Sequence, residues 1–240
     1  MESGMKRKTA IIFSMILSLC LLAGCGKKLQ VEESTVYVDK NGSVISVDIE
    51  SFEKDYYDET ELKDYIEEEI DAYTSDNGKK SVSLENVKVE DGTATLKLKY
   101  ASAKDYSDFN GIELYTGTVV KAMAAGYDFN ADFVSVEDGV VLGMTDRDKI
   151  LENDDYKIAI IKANTDVMVD GEILFVSTEN VKLTGKDSVS IREGYSLAQT
   201  EAVEEKQAVE ETEASENINT TVTYDEFAYE TDVYTYIIFK

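Results

Sequence analysis

The sequence predicts an α+β fold in which antiparallel hairpins alternate with helices, and three observations carry that prediction. Four dipeptides of the tight-hairpin type, Asn41-Gly42, Asp91-Gly92, Asp138-Gly139 and Asp170-Gly171, punctuate the chain and suit backbone with positive φ. Between them the apolar spacing changes from a period of two to a helical one. Near the end, Val233-Tyr-Thr-Tyr-Ile-Ile-Phe239 is rich in β-branched and aromatic residues and reads as a strand, which needs a sheet.

Each turn dipeptide has strand-like flanks. Val36 to Val38 precedes Val44 to Ile49, Val87 to Val89 precedes Thr93 to Tyr100, Phe133 to Val136 precedes Val140 to Leu142, and Val167 to Val169 precedes Ile173 to Val176. Four hairpins are expected. From Thr60 to Thr74, Leu62, Tyr65, Ile66, Ile70 and Tyr73 fall on one helical face and Glu67, Glu68 and Asp71 on the other. Asp58 followed by Glu61 supplies a cap and Asn77-Gly78 a stop. A second helix is expected from Ile112 to Ala125, with Ile112, Tyr115, Val119 and Met123 inward, and a third, short one after Thr145 through Ile150 and Leu151. An apolar strand follows at Tyr156 to Ala163.

The spacing also allows a duplicated ββα unit, residues 35–80 and 81–127. Gly42 and Gly92 stand 50 apart, and each is followed twelve residues later by Lys54-Asp55-Tyr56-Tyr57-Asp58 or Lys104-Asp105-Tyr106-Ser107-Asp108. The same offset pairs Leu62 with Ile112 and Tyr65 with Tyr115; the chain's wealth of Lys, Asp and Tyr makes coincidence the competing account. Ala101–Asn110 is expected to join two repeats or two domains.

The chain divides by composition into a signal (1–24), a tether (25–34), a body (35–197), an acidic loop (198–221) and a closing segment (222–240). Residues 198–221 hold seven glutamates and little apolar content. Such a stretch buries too little surface to offset its ordering entropy, so it is expected to be a solvated, disordered loop. The strand after it is expected to return to the body; the alternative is that it adds to the sheet edge of a partner.

The signal sets the address. Lys6-Arg7-Lys8 is followed by an apolar run from Thr9 to Leu22 and then by Leu22-Ala23-Gly24-Cys25, with Met5 offering a second start. The run is shorter than the ~20 residues that span a bilayer. These four residues resemble the lipobox of bacterial lipoproteins. The resemblance implies cleavage between Gly24 and Cys25 and attachment of diacylglyceryl and palmitate groups at Cys25, leaving the protein on the extracytoplasmic face of the cell membrane. Cys20 would leave with the signal, and loss of Glu2, Lys6, Arg7 and Lys8 would leave 21 basic against 48 acidic residues, a charge of −27. Lys27 and Lys28 would then lie where anionic headgroups attract them. Over residues 5–25 the chain resembles the uncharacterised lipoproteins of Gram-positive, clostridia-like bacteria; elsewhere the similarity is one of acidity and style.

Inventory excludes several functions. With 49 Asp+Glu against 24 Lys+Arg the net charge is −25, which argues against nucleic acid as a partner. There is no histidine, so triads with a His base and His metal sites are excluded. No Gly-rich phosphate loop occurs, so no nucleotide is expected, and no cofactor is implied. Asp128-x-Asn130-x-Asp132 has the oxygen spacing that opens a calcium loop, yet Phe133 stands where glycine is needed and Gly139 where a glutamate closes the loop, so this is a weak metal candidate. Ser51-Phe-Glu-Lys54 and Ser75-Asp76-Asn77 match two motifs of penicillin-binding enzymes, but the Lys-Thr-Gly third is missing. Tyr56-Tyr57, flanked by Asp55 and Asp58, could stack on sugars; the competing expectation is that both tyrosines fill the gap between strand and helix.

No catalytic residue is therefore assigned. The leading expectation is a non-enzymatic, membrane-tethered module that binds an envelope protein or a small ligand. A carboxylate-dependent hydrolase of wall glycan is the alternative, and it requires an Asp or Glu of raised pKa in a cleft. A solute-capturing subunit of a transporter is the third.

Overall fold

The computed structural model describes residues 29, 31–54, 56–198 and 231–240. In chain order the elements are β1 (Thr35–Val38), β2 (Val44–Ser51), α1 (Glu59–Asn77), β3 (Val82–Glu90), β4 (Thr93–Tyr100), α2 (Ala103–Asn110), β5 (Leu114–Thr118) and α3 (Val119–Ala124). They continue with β6 (Phe133–Glu137), β7 (Val140–Thr145), α4 (Arg147–Leu151), β8 (Lys157–Ile161), β9 (Asp166–Val169), β10 (Ile173–Ser177), β11 (Glu179–Leu183), β12 (Ser188–Ser196) and β13 (Thr235–Phe239). Sheet 1 runs β11-β12-β9-β1-β2-β4-β3 and sheet 2 runs β5-β8-β13-β10-β6-β7. The fold is α+β, with hairpins alternating with helices.

Turn chemistry sets three of the expected hairpins. Asp91-Gly92 and Asp138-Gly139 both have positive φ at their two residues, the twist that joins β3 to β4 and β6 to β7. At the first turn Gly42 alone is left-handed, and the amide of Asn41 is held by the Asp39 carboxylate at 2.7 Å. α1 begins where Asp58 accepts from the amides of Thr60 and Glu61 at 2.8 and 3.0 Å, and it ends at Gly78, whose amide reaches the Thr74 carbonyl.

Cross-strand registers put Val36, Val38, Val44, Leu98, Val167 and Val189 on one face of sheet 1. That face shares a core with Val134, Ile161, Ile237 and Phe239 of sheet 2 and with Ile66 of α1 and Tyr106 of α2. The opposite face of sheet 2 carries Phe133, Ile158, Ile160 and Ile238, packed under Val119 and Ala122 of α3, Ile150 of α4, and Phe129. The closing strand does return to the body. β13 lies between β8 and β10, both its edges are paired within the chain, and all five of its residues are buried. The partner-edge alternative for this strand is thereby removed.

Several expectations are corrected. Asp170-Gly171 is not a hairpin turn: β9 belongs to sheet 1 and β10 to sheet 2. The chain crosses there because Asp170 donates to the Val38 carbonyl while Glu172 and Lys240 exchange backbone bonds of 3.0 and 3.1 Å. The glycine answers a close approach, since a Cβ on Gly171 would sit 2.2 Å from the Lys240 carbonyl oxygen. The helix expected over Ile112–Ala125 is instead β5, paired along its length with β8, followed by the short α3 capped by Thr118. Met123 is exposed. The expected joiner Ala101–Asn110 holds α2, started by a reciprocal cap in which Ser102 Oγ accepts from the Asp105 amide at 3.1 Å and donates to its carboxylate at 2.6 Å. Tyr65 is exposed, because α1 is covered only along Leu62, Ile66, Ile70 and Tyr73. Asp146 stands at the N-cap of α4, with Thr145 closing β7 instead of capping the helix.

The order ββα does occur twice, as β1-β2-α1 and β3-β4-α2. The offset of 50 that aligns the turn glycines is not kept by the helices: Leu62 of α1 falls against Ile112, outside any element, and Tyr65 against Tyr115 in β5. The signal with Cys20, Gly24 and Cys25, the tether lysines Lys27 and Lys28, and the acidic tract from residue 199 onward lie outside the described residues. Among the described residues no helix is long and apolar enough to cross a membrane.

Candidate functional site: a groove between two sheet edges

β7 ends sheet 2 and β11 ends sheet 1, so each presents one edge with no described strand beside it. A groove of about 780 Å³ runs along them. It is lined by Gly139 to Met144 of the β7 segment, Val181 to Leu183 of β11, Gly194 to Ala198, and Val134 of β6. The turns Asp138-Gly139 and Gly185-Lys186 meet beside it, where a Cβ on Gly139 would stand 3.0 Å from the Lys186 amide nitrogen.

Two features of the lining follow from the sequence. Six consecutive residues of the β7 segment line the groove, so it contacts the edge of the strand and not only one face, which would supply alternate residues. The exposed side chains are apolar: Val140 is 61%, Leu142 61% and Met144 53% exposed. The ladder between β6 and β7 shifts register at Ser135/Val136, leaving Leu142 as the extra residue, and Gly143 accommodates the bulge with φ 140°. Leu142 consequently borders both this groove and the shallow cleft on the other face of sheet 2.

The electrostatics are unusual for this chain. Among the described residues no Asp or Glu lines the groove, although the sequence holds 49. The one charge among its described lining residues is Lys182, whose ammonium lies 5.9 Å from the ring centroid of exposed Tyr195 and has no carboxylate partner among the described residues. Edge strands ordinarily carry charge, proline or a bulge against unwanted pairing. β7, Val-Val-Leu-Gly-Met-Thr, has the bulge at Leu142 but neither charge nor proline.

The residues singled out by sequence sit elsewhere. Asp128 and Asn130 bond to each other, the Asp128 carboxylate accepting from the Asn130 amide at 3.2 Å and from its side-chain nitrogen at 2.7 Å. Between them Phe129 takes left-handed backbone, φ 52°, and buries its ring against Phe133 and Tyr236. Asp132 is fixed through its carbonyl, which accepts from Thr178. The Asp-x-Asn-x-Asp segment thus shapes a loop over sheet 2, and among the described residues no group of three His, Cys, Asp or Glu side chains is arranged to hold a metal. Tyr56 and Tyr57 do not fill a gap in the core: Tyr56 is 75% exposed, and Tyr57 stacks on Phe52 at 4.8 Å at the surface. Asp58 is committed to the α1 cap and Asp55 lies outside the described residues. Ser75 Oγ bonds to the Ala72 carbonyl within α1, far in sequence from Ser51 at the end of β2.

One carboxyl is held well above its ordinary range. Burial pushes Asp48 of β2 from 3.8 to about 6, the Ser46 hydroxyl at 2.9 Å opposes this, and the neighbouring Glu50 charge adds to it. Behind it Ser46 Oγ meets the Tyr100 hydroxyl at 3.4 Å, and Tyr100 donates to Asn110 Oδ1 at 3.3 Å. Burial pushes Tyr100 to about 12. This chain of bonds ties β2 to β4 and α2, and none of its members lines the groove.

Sequence reasoning missed the groove. Its signal was present in Val140-Val-Leu-Gly-Met144, which is apolar at consecutive positions where a half-exposed hairpin strand would alternate. No family model, curated protein or solved structure matches this chain.

Proposed function

We propose that the chain is an extracytoplasmic lipoprotein, anchored to the cell membrane through lipid on Cys25, whose body is a non-enzymatic interaction module holding an envelope partner in the groove between β7 and β11. The anchoring half of this reading rests on the basic, apolar and Leu22-Ala23-Gly24-Cys25 pattern of the signal. The observation that carries the binding half is an exposed apolar groove, with no carboxylate among its described lining residues, along an uncharged edge strand of a strongly acidic chain.

The hydrolase alternative requires a raised carboxyl in a cleft. Asp48 is raised, but its bonded neighbours are the structural chain of Ser46, Tyr100 and Asn110, and it stands apart from the groove. A two-lobed solute trap requires two bodies, whereas the described residues from Val31 onward fall in one compact unit. Both comparisons favour the interaction reading.

The test is photo-crosslinking in cells with a reactive amino acid at Leu142, set beside the same group at exposed Lys99 of sheet 1. One reproducible envelope partner at Leu142, absent at Lys99, is expected, together with loss of lipid labelling in Cys25→Ala. Crosslinking that does not distinguish the two positions, or turnover of wall glycan by the protein, would overturn the reading.

A further inference from the structure

The groove is lined by residues of β7 and β11, the strands that end their two sheets. Its wall is the strand edge itself, six consecutive residues from Gly139 to Met144, and an edge strand leaves alternate backbone N–H and C=O groups without ladder partners. A compact ligand or an acyl chain uses apolar surface but leaves those groups unpaired, whereas an extended peptide satisfies both the backbone edge and the exposed side chains. Charge narrows the occupant further. Among the described residues Lys182, between Val181 and Leu183 in β11, is the one ionised residue of the lining and has no carboxylate partner.

Resting on the interaction reading above, we infer that the partner enters as an extended polypeptide segment that adds a strand to β7, with apolar side chains over Leu142 and Met144 and a carboxylate facing Lys182. The bulge at Leu142 places the added strand's ladder with β7 on either side of that residue. A partner strand carrying one acidic residue among apolar ones also meets no repulsion from the described lining of the groove, which holds no carboxylate.

The experiment measures amide hydrogen exchange by mass spectrometry on the full chain in detergent, with a soluble probe: a capped heptapeptide of alternating Thr and Val with Glu at its centre. The inference expects exchange in Val140–Met144 to slow by about tenfold or more at saturation. The same peptide N-methylated at alternate residues, which cannot donate along one edge, should give no protection. Lys182→Glu should weaken the probe by about tenfold, and a probe with Lys in place of Glu should recover the loss. Lys182 is on the surface of an edge strand, so the variant keeps the fold, and thermal unfolding checks that it does.

Equal protection by the N-methylated peptide would overturn strand addition. So would displacement of the probe by laurate with no dependence on N-methylation, which identifies an acyl site. Protection that grows with protein concentration in the absence of peptide identifies a second copy as the occupant. Protection present without peptide and lost on deleting residues 199–230 identifies the chain's own segment. No protection by the probe in either the full chain or that deletion also overturns the inference. If the probe fails while Leu142 still crosslinks a partner in cells, the interaction reading stands and only the strand mode falls; if both fail, the reading falls with it.

Discussion

β7 and β13 are both uncharged, largely apolar strands of sheet 2, yet one lies at its edge and the other near its centre. In β13 alternate residues serve two cores, Ile237 and Phe239 facing sheet 1 and Tyr236 and Ile238 facing α3 and α4. In β7 only Val141 packs against the core while Val140, Leu142 and Met144 face solvent. Hydrophobicity alone does not separate a strand that holds the fold together from one that offers a surface. What separates them is the number of covered sides: β13 is paired on both edges and buried on both faces, and β7 has one edge with no described strand beside it.

The largest effect that tests this contrast is expected in β13. Ile237→Ala removes a fully buried side chain between two sheets and should lower stability by about 2–5 kcal/mol. Urea unfolding should show a lower midpoint with unchanged slope. A loss below about 1 kcal/mol would mean that the strand's place in the core contributes little, and the contrast with β7 would vanish.

Gly171→Ala comes next, because it attacks the crossing that carries the chain from sheet 1 into sheet 2 beside β13. The added Cβ would meet the Lys240 carbonyl oxygen at 2.2 Å and the Phe239 ring at 2.9 Å. Gly171 is not among the residues with positive φ, so conformational strain plays no part. Crowding of this kind should cost about 1–3 kcal/mol in thermal or urea unfolding. A neutral result would show that the last strand yields easily there and is less firmly seated than its burial implies.

β2 lies between these extremes, with one carboxylate set into its core-facing side. The folded value of Asp48, about 6, exceeds its ordinary 3.8, so between those limits the folded chain holds a proton that the unfolded chain has released. Stability therefore falls as pH rises from about 4 to about 6 and stays lowered above that window. Partial exposure trims the contribution to about 1–2 kcal/mol. Asp48→Asn keeps a partner for the Ser46 hydroxyl without the charge, so it should flatten that fall and raise stability at neutral pH by the same amount. Parallel pH profiles for the two proteins, measured by urea unfolding, would assign the effect to another carboxyl.

Legibility in the sequence followed the range of the cause. Asn41-Gly42, Asp91-Gly92 and Asp138-Gly139 announced their hairpins because positive φ is a local demand that the dipeptide itself meets. Asp170-Gly171 misled because its glycine makes room for Lys240, a neighbour 69 positions away. α1 was legible through its Asp58 cap and its spacing, but Tyr65 was placed inward because a period cannot tell how wide the covered stripe is. The helical spacing of Ile112, Tyr115 and Val119 favours a helix, and pairing with β8 along Leu114–Thr118 overrides it to give β5. α2 is short, and its Ser102–Asp105 cap was its one local sign. The groove was hidden for a different reason: it is made by two edges, β7 and β11, that only the assembled sheets bring together.

The smallest expected effect on stability is the most telling for function. Leu142→Lys places a charge on an edge strand at a position 61% exposed, where a folded protein loses little by the change. Urea unfolding should therefore shift by no more than about 0.5 kcal/mol. An added lysine beside Lys182 also makes the groove less apolar and gives β7 the charge that edge strands use against pairing, so probe protection and partner capture should both fall. Stability kept and binding lost is the signature of a surface strand retained for recognition. Stability lost by more than about 1 kcal/mol would instead make Leu142 part of the core, and β7 would then differ from β13 in degree and not in kind.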